Sequence, residues 1–426
     1  MITTIRPGDT RYEEHQHVYT ASGAPAQVLI PTGTSEVPLA LAAAREHGGQ
    51  IAVRSGGHGI SSISTNDGGS VIDLRALNQI EHLGGTRVRI GPGARWTHVA
   101  HTLRPWGLAI SSGDSGDVGV GGLATTGGIG LMGRAHGLTI DRLVAAQVVL
   151  ADGSIHRATA EEEPDLFWAI RGAGANIGIV TEFEFDASAT PTVVRASLAY
   201  PSVHVGPFLA AWGEVVEAAP REISAFLYLL GGDAPFAQAT VVYAGDDLEA
   251  ADRAVEPFRR LEGLAQEQFG LVPYAEVLTA TGEVHTGQQR AVMRTGLITH
   301  LDPPVVGALV TALSSGLDMV QVRSVGGAIN DVPSDATAYA HRHQHFCLSA
   351  VAMAPGPQFD VAWEPVHKLM DGMYLSFEGN HRREALEEAF PPATLGRLRA
   401  IKRRIDPERV FRQNFDVSEP QFAALA

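Results

Sequence analysis

The first third of the chain alternates short apolar runs with helical repeats. Apolar stretches at 27–30, 50–54 and 69–74 have the length of buried strands and are bounded by turn residues. Between the first two, residues 34–47 (TSEVPLALAAAREH) place apolar side chains at helical spacing, with a serine at the cap and Gly48-Gly49 at the end. Strand, helix and strand in that order make an α/β unit. Residues 96–101 predict a helix with His98 and His101 one turn apart, for packing or surface. Farther on, residues 341–348 (HRHQHFCL) read as a strand, and a period of two sets His341, His343 and His345 on one face. No apolar run approaches the roughly 18 residues of a membrane span.

Glycine breaks this pattern. It supplies 47 of 426 residues, about 11% against a usual ~7%. The excess concentrates at 54–59 (RSGGHG), at 111–137 and at 171–178 (RGAGANIG). The middle segment has ten glycines in 27 residues, so it is expected to be an extended loop rather than a helix or strand. Such backbone exposes consecutive N–H groups and lets them approach a phosphate or a flat ring closely. Gly128-Ile-Gly130-Leu-Met-Gly133 spells G-x-G-x-x-G, but it follows another glycine run, not a strand, and leads into Arg134-Ala-His-Gly137. A nicotinamide-binding reading therefore lacks its context.

Charge and rare residues narrow the class. The length suggests two to three domains. Asp+Glu exceed Lys+Arg by 47 to 32, a net −15, so the surface repels nucleic acid. The first 17 residues hold no apolar signal core, which makes a cytoplasmic protein the default expectation. Cys347 is the single cysteine, which rules out an internal disulfide and any multi-cysteine metal site. Lysine occurs only at 368 and 402, both read as surface-helix positions and poor Schiff-base candidates.

Taken together, the motifs resemble the FAD-linked oxidases of the vanillyl-alcohol-oxidase type, with a PCMH-type FAD-binding domain. The branch is the berberine-bridge-enzyme-like and 6-hydroxynicotine-oxidase-like one. VRSGGH at 53–58 resembles the pyrophosphate loop whose histidine bonds to the flavin. VGVGG at 118–122 with GGIG at 127–130 resembles the second FAD segment, and GLTID at 137–141 with VVLADG at 148–153 the turn and hairpin after it. DLFWAIRG at 165–172, NIGIVTEF at 176–183 and DPERVFRQN at 406–414 continue the match to the C-terminus. The resemblance implies an α+β, two-domain covalent FAD-oxidase fold. The FAD-binding domain would span residues 1–190, an antiparallel-sheet substrate domain 191–390, and a segment returning to the FAD domain 391–426.

The resemblance also distributes roles. Arg54, Ser55, Gly56, Gly57, His58 and Gly59 would hold FAD, together with Ser115, Val118, Gly119, Gly121, Gly122, Gly128, Gly130, Val180 and Asn414. Many relatives add a second flavin bond from a cysteine at the position of Ser115, whose hydroxyl cannot form a thioether, so His58 is expected to carry FAD alone. Val118 would stand beside the flavin C4a, where valine accompanies fast use of oxygen. Ile129 replaces a tyrosine base of plant relatives, and Tyr374-Leu-Ser376 keeps the tyrosine of a Tyr-x-Asn pair but not the asparagine.

Tyr374 is thus a candidate base, substrate clamp or packing residue. His343 and His345 are candidates for taking a substrate proton or for a structural role. The histidine row lacks a partner carboxylate, so no metal is expected. The expected activity is an oxidase taking a hydride from a small-molecule alcohol, amine or natural-product C–H, with molecular oxygen as acceptor and peroxide as product. The alternative is a flavin-dependent oxidative cyclase or redox-neutral cyclisation scaffold in secondary metabolism.

Overall fold

A computed structural model describes residues 2–418 except 281, 283, 284, 286, 288–291, 354 and 355. Among the described residues the strands form three sheets. The first contains β1 (Thr3–Ile5), β2 (Gln27–Ile30), β3 (Ile51–Arg54) and β4 (Ser70–Asp73), ordered β1-β2-β4-β3. Strands β2, β4 and β3 run parallel and are buried almost throughout, which is why their sequence is apolar without alternation. Helix α1 (Val37–His47) covers them with Val37, Ala40, Leu41 and Ala44. Ser35 is not its cap: residues 34–36 form a 3-10 turn, and Glu36 accepts from the Thr32 N–H at 2.9 Å.

The second sheet is antiparallel: β5 (Ile80–Gly84), β6 (Arg87–Ile90), β7 (Leu143–Val149), β8 (Ile155–Ala158) and β9 (Ile179–Asp186), ordered β5-β6-β9-β7-β8. Strand β9 shows the alternation of a half-solvated strand. Phe183 and Phe185 enter the core, while Glu184 points outward to the Arg157 guanidinium at 2.9 Å. Between β6 and β7 lies the glycine-rich segment, and it is not one extended loop. Residues Val120–Thr126 form helix α2. Gly121 permits this because a Cβ there would stand 3.1 Å from Pro92 and Ser55; its glycine serves close helix approach, and tertiary packing outweighs poor helix propensity.

The third sheet has seven antiparallel strands: β10 (Thr192–Pro201), β11 (Ile223–Leu230), β12 (Phe236–Tyr243), β13 (Gln266–Pro273), β14 (Val292–Ile298), β15 (Met319–Ser324) and β16 (Phe346–Ala352), ordered β13-β10-β12-β11-β15-β16-β14. Its two faces separate by the period of two. Ala225, Leu227 and Leu229 pack under helices α3 (Val205–Ala218), α4 (Leu248–Arg259), α5 (Pro303–Leu313) and α6 (Pro357–His367). Phe226 and Tyr228 face the other way, into a core shared with Trp168, Leu278 and Tyr374. One hydrophobic core therefore runs from the glycine-rich half into the seven-stranded half.

Two expectations are corrected here. Strand β16 begins at Phe346, and residues 341–345 are irregular. Their side chains are committed to separate partners: Arg342 forks onto Asp141 with two bonds of 2.8 Å, and His341 Nε2 meets the Ala389 carbonyl at 3.0 Å. Lys402, on the C-terminal helix α7 (Pro392–Ile405), is 1% exposed rather than a surface residue. Its ammonium donates to the Asn176 and Phe411 carbonyls and to Asp406 Oδ2, each at 2.7 Å. That knot seats the C-terminal segment against the 171–178 loop.

Candidate active site

A cavity of about 570 Å³ lies where the glycine-rich loops meet the inner face of the seven-stranded sheet. Its size falls within the usual range for a ligand site. The loops after β3 and before α2 close on each other at the cavity wall. A Cβ on Gly56 would stand 2.5 Å from the Gly119 nitrogen, and one on Gly119 would stand 2.2 Å from the Gly56 nitrogen. Only glycine allows two backbones so close, and Gly57 adds a left-handed φ of 68°. Ser55 ties the loops together, donating to the Pro92 carbonyl at 2.5 Å and accepting from the Gly121 N–H at 3.2 Å.

His58 stands in this wall. Its ring stacks on Tyr19 with centroids 4.0 Å apart, and His285 approaches it at 5.4 Å. Burial, followed by the neighbouring His285, pushes its pKa down to about 4. At neutral pH the imidazole is therefore unprotonated. Its Nδ1 is buried with no hydrogen-bond partner, a costly arrangement for a polar atom unless a ligand completes it. An orphaned, neutral nitrogen beside a glycine cradle fits a histidine that attaches a flavin.

Gly56, Gly57, Gly59, Ser115, Val118, Gly119, Gly121 and Gly122 line the same cavity as His58 and Ser55. Val180 and Asn414 line it from β9 and from the C-terminal segment. The neighbour of Asn414, Gln413, secures that segment by donating to the Ile63 carbonyl at 2.8 Å and the Thr65 carbonyl at 2.5 Å. Tyr374 is also in the wall. Its hydroxyl accepts the Gly128 N–H at 2.9 Å, and burial raises its pKa above 10.0. The phenol thus keeps its proton.

Other predicted residues lie elsewhere. Arg54 is 2% exposed beneath the loop, donating to the Ser64 carbonyl at 2.9 Å and the His15 carbonyl at 2.8 Å. Asp73 lies 3.6 Å from its guanidinium. Gly128 and Gly130 do not line the cavity; they make room for Thr139 and Ser111, which a Cβ would meet at 2.2 and 2.5 Å. His343 is exposed beside Asp371 at 3.3 Å, and His345 turns toward Glu217 and His300. Neither histidine reaches the cavity, because the segment that carries them is not a strand of the inner face.

The sheet instead contributes residues that sequence reading passed over. Tyr228 on β11 donates its hydroxyl to Asp114 Oδ2, and Arg323 on β15 donates to the same oxygen at 3.2 Å. Arg323 is 4% exposed and its guanidinium lies over the Phe377 ring at 4.3 Å. Burial alone would raise the Asp114 pKa, but Arg323 and the Tyr228 hydroxyl outweigh it and hold the carboxyl below 3.8. Burial and the adjacent carboxylate raise Tyr228 well above the ordinary phenol. Gln321 faces the cavity two residues before Arg323 and directly opposite Tyr228 in the sheet register. A signal was available: Tyr228, Gln321 and Arg323 are polar side chains at alternate positions in otherwise apolar strands.

Residues 25–159 match the family model described as FAD binding domain. The (R)-6-hydroxynicotine oxidase of Paenarthrobacter nicotinovorans is 28% identical over 97% of this chain and 96% of that protein. A xylooligosaccharide oxidase from Myceliophthora thermophila C1, solved with xylobiose, superposes with a TM-score of 0.87 at 26% identity, covering 99% of this chain and 98% of that one. The glucooligosaccharide oxidase of Acremonium strictum, described with a 6-S-cysteinyl, 8α-N1-histidyl FAD, shares the fold with a TM-score of 0.86 at 24% identity, over 98% and 97% of the two chains. With its glycine cradle, orphaned histidine and matching domain, the chain is an FAD-dependent oxidoreductase with a PCMH-type FAD-binding domain, similar over nearly its whole length to 6-hydroxynicotine and oligosaccharide oxidases.

Proposed function

We propose that this oxidase acts on a small, uncharged or cationic hydroxylated or amine-bearing molecule, with FAD held by a single covalent bond from His58. The carrying observation is the polar cluster Tyr228–Asp114–Arg323, which lines the same cavity as the flavin cradle. Bound FAD supplies the hydride acceptor and passes the electrons to oxygen. Ser115, where a cysteine would make a second flavin bond, supports the single attachment, as does the burial of Cys347 on β16 away from the cavity wall.

The chain's own groups account for binding and proton movement. Asp114, ionised at neutral pH, is the carboxylate that receives the substrate's O–H or N–H proton, and the Tyr228 hydroxyl relays it. Arg323 holds Asp114 in place. Arg323 Nη1 and Gln321 Oε1 are both buried without partners, so a substrate oxygen can accept from the first and a substrate hydroxyl or N–H can donate to the second. Among the described residues, the charged groups of the wall are Asp114, Asp117 and Arg323. Two carboxylates against one guanidinium leave no surplus positive charge for an anionic substrate. Tyr374, its proton retained, serves as a wall residue and donor rather than as a base. Backbone geometry at Gly127 sets its position, since a Cβ there would meet the Tyr374 ring at 2.9 Å.

Acid denaturation of the purified protein tests the attachment. The yellow colour should stay with the chain, and His58→Ala should release it. Peroxide release over a panel of neutral alcohols, phenols, amines and carboxylate analogues tests the rest. Turnover of carboxylates in preference to their neutral counterparts would refute the substrate reading, and colour retained by His58→Ala would refute the anchor.

A further inference from the structure

Outside the flavin cavity, a different set of side chains converges at the back of the seven-stranded sheet. Glu217 sits in the last turn of α3, His300 follows β14 by two residues, and His345 immediately precedes β16. Each offers one ligand atom, and these atoms all lie within 4.8 Å of one another. Glu217 Oε2 is 2.9 Å from His300 Nδ1 and 3.9 Å from His345 Nδ1. The two imidazoles stand edge to face at 77°, their centroids 5.6 Å apart. His345 Nδ1 is buried and makes no hydrogen bond, an orphan of the kind that calls for a ligand.

We propose that Glu217, His300 and His345 form a zinc site that clamps the outer end of the seven-stranded sheet. Two imidazoles and one carboxylate suit a borderline cation such as Zn²⁺. Ligand distances of about 2.0–2.2 Å in a tetrahedron place the ligand atoms roughly 3.3–3.6 Å apart, within the spread found here. Small rotations of His300 and Glu217, both accessible to solvent, would complete the geometry. The fourth position is left for water. The backbone of His345 is already pinned, its N–H donating to the Ile298 carbonyl at 3.0 Å and its carbonyl accepting from the Val325 N–H at 2.8 Å, so one ligand is held ready at little further entropic cost. The last turn of α3 adds a favourable field for a cation. The nearby Arg134 guanidinium is committed to the Val216, Ile223 and Ala219 carbonyls.

A metal here joins three segments distant in sequence. The loop that ends at His345 also carries Ala338 and Tyr339, whose N–H groups donate to the Trp168 and Arg171 carbonyls of the flavin-binding half at 3.2 and 3.1 Å. Fixing that loop at its far end should steady the contact between the halves without touching the cavity. Sequence reading placed a metal-like row at His341, His343 and His345 and found no carboxylate for it. In the fold the row is dispersed, and only His345 joins a carboxylate and a second histidine from other elements.

The test uses the flavin-loaded protein, stripped with chelator and titrated with zinc chloride by calorimetry. One zinc per chain should bind with a Kd of about 10 µM or tighter, and the Tm should rise by several degrees. His300→Ala and Glu217→Gln should each weaken binding at least about 100-fold while leaving flavin absorbance and turnover intact. In the wild type, zinc should protect His300 and His345 from diethylpyrocarbonate, read by mass spectrometry. This arm does not depend on the variants folding. Absence of binding below about 100 µM, affinity unchanged in both variants, or no protection of these two histidines would overturn the site.

Discussion

Tyr228 and Asp114 stand 114 positions apart in the chain and share one hydrogen bond. Asp114 lies in the glycine-rich segment and Tyr228 on a strand of the other half, so neither is conspicuous until the halves meet. Removing the relay with Tyr228→Phe should lower kcat/KM by about 100-fold or more with the flavin spectrum unchanged, as followed by peroxide release. The pH profile separates this pair from a histidine base. Asp114 is active when ionised, and its pKa is depressed below 3.8 by Arg323 and Tyr228. With a substrate that does not itself titrate, kcat/KM should hold as pH falls through the histidine range and decline only in acid beyond the ordinary carboxylate value. A decline centred near the ordinary histidine value of 6.5 would return the role to an imidazole.

Among the elements, the C-terminal helix and the glycine-rich segment show how far local pattern carries. Lys402 was expected on a surface helix, and it does lie on helix α7, but it points inward, because Asn176, Phe411 and Asp406 offer three acceptors that no spacing rule reveals. Lys402→Met should leave Asp406 buried without its cation and cost about 3 kcal/mol, measurable as a lower urea midpoint. Helix α2 was hidden by its glycines. Those glycines are required by what approaches them: a Cβ on Gly119 meets the Gly56 backbone at 2.2 Å. Gly119→Ala should therefore part the two loops and abolish retention of flavin colour after acid denaturation. Strand β16 shows the reverse error. An alternating His-x-His-x-His pattern suggested a longer strand, and the residues instead bond to Asp141, Ala389 and Asp371.

At the scale of the whole molecule, the hydrophobic core that holds Trp168 and Tyr374 also holds Phe226, Leu297 and Cys347. The two halves therefore share apolar packing across the cavity. Cys347 lies within it, fully buried, and burial pushes its pKa up to about 11. Its thiol should be inert to alkylation in the native protein and react only on unfolding, so the rate of its modification reports global opening. Among the described residues no helix is long and apolar enough to cross a membrane.

The order of glycine motifs along the chain was sufficient to indicate an FAD-binding domain, its cofactor and the histidine expected to carry it, because a flavin cradle demands small residues at particular backbone positions and leaves that demand in the sequence. The alternation within β11 and β15 likewise determined which side chains share a face. Only the tertiary structure decided what those faces meet. It removed Arg54, Gly128, Gly130, His343 and His345 from the cavity wall and brought in Asp114, Tyr228, Gln321 and Arg323. It also assembled Glu217, His300 and His345 behind the sheet. The reason is physical: hydrogen bonds and ion pairs between distant segments depend on which faces the sheet turns inward, and periodicity along one strand carries no information about the partner across the gap.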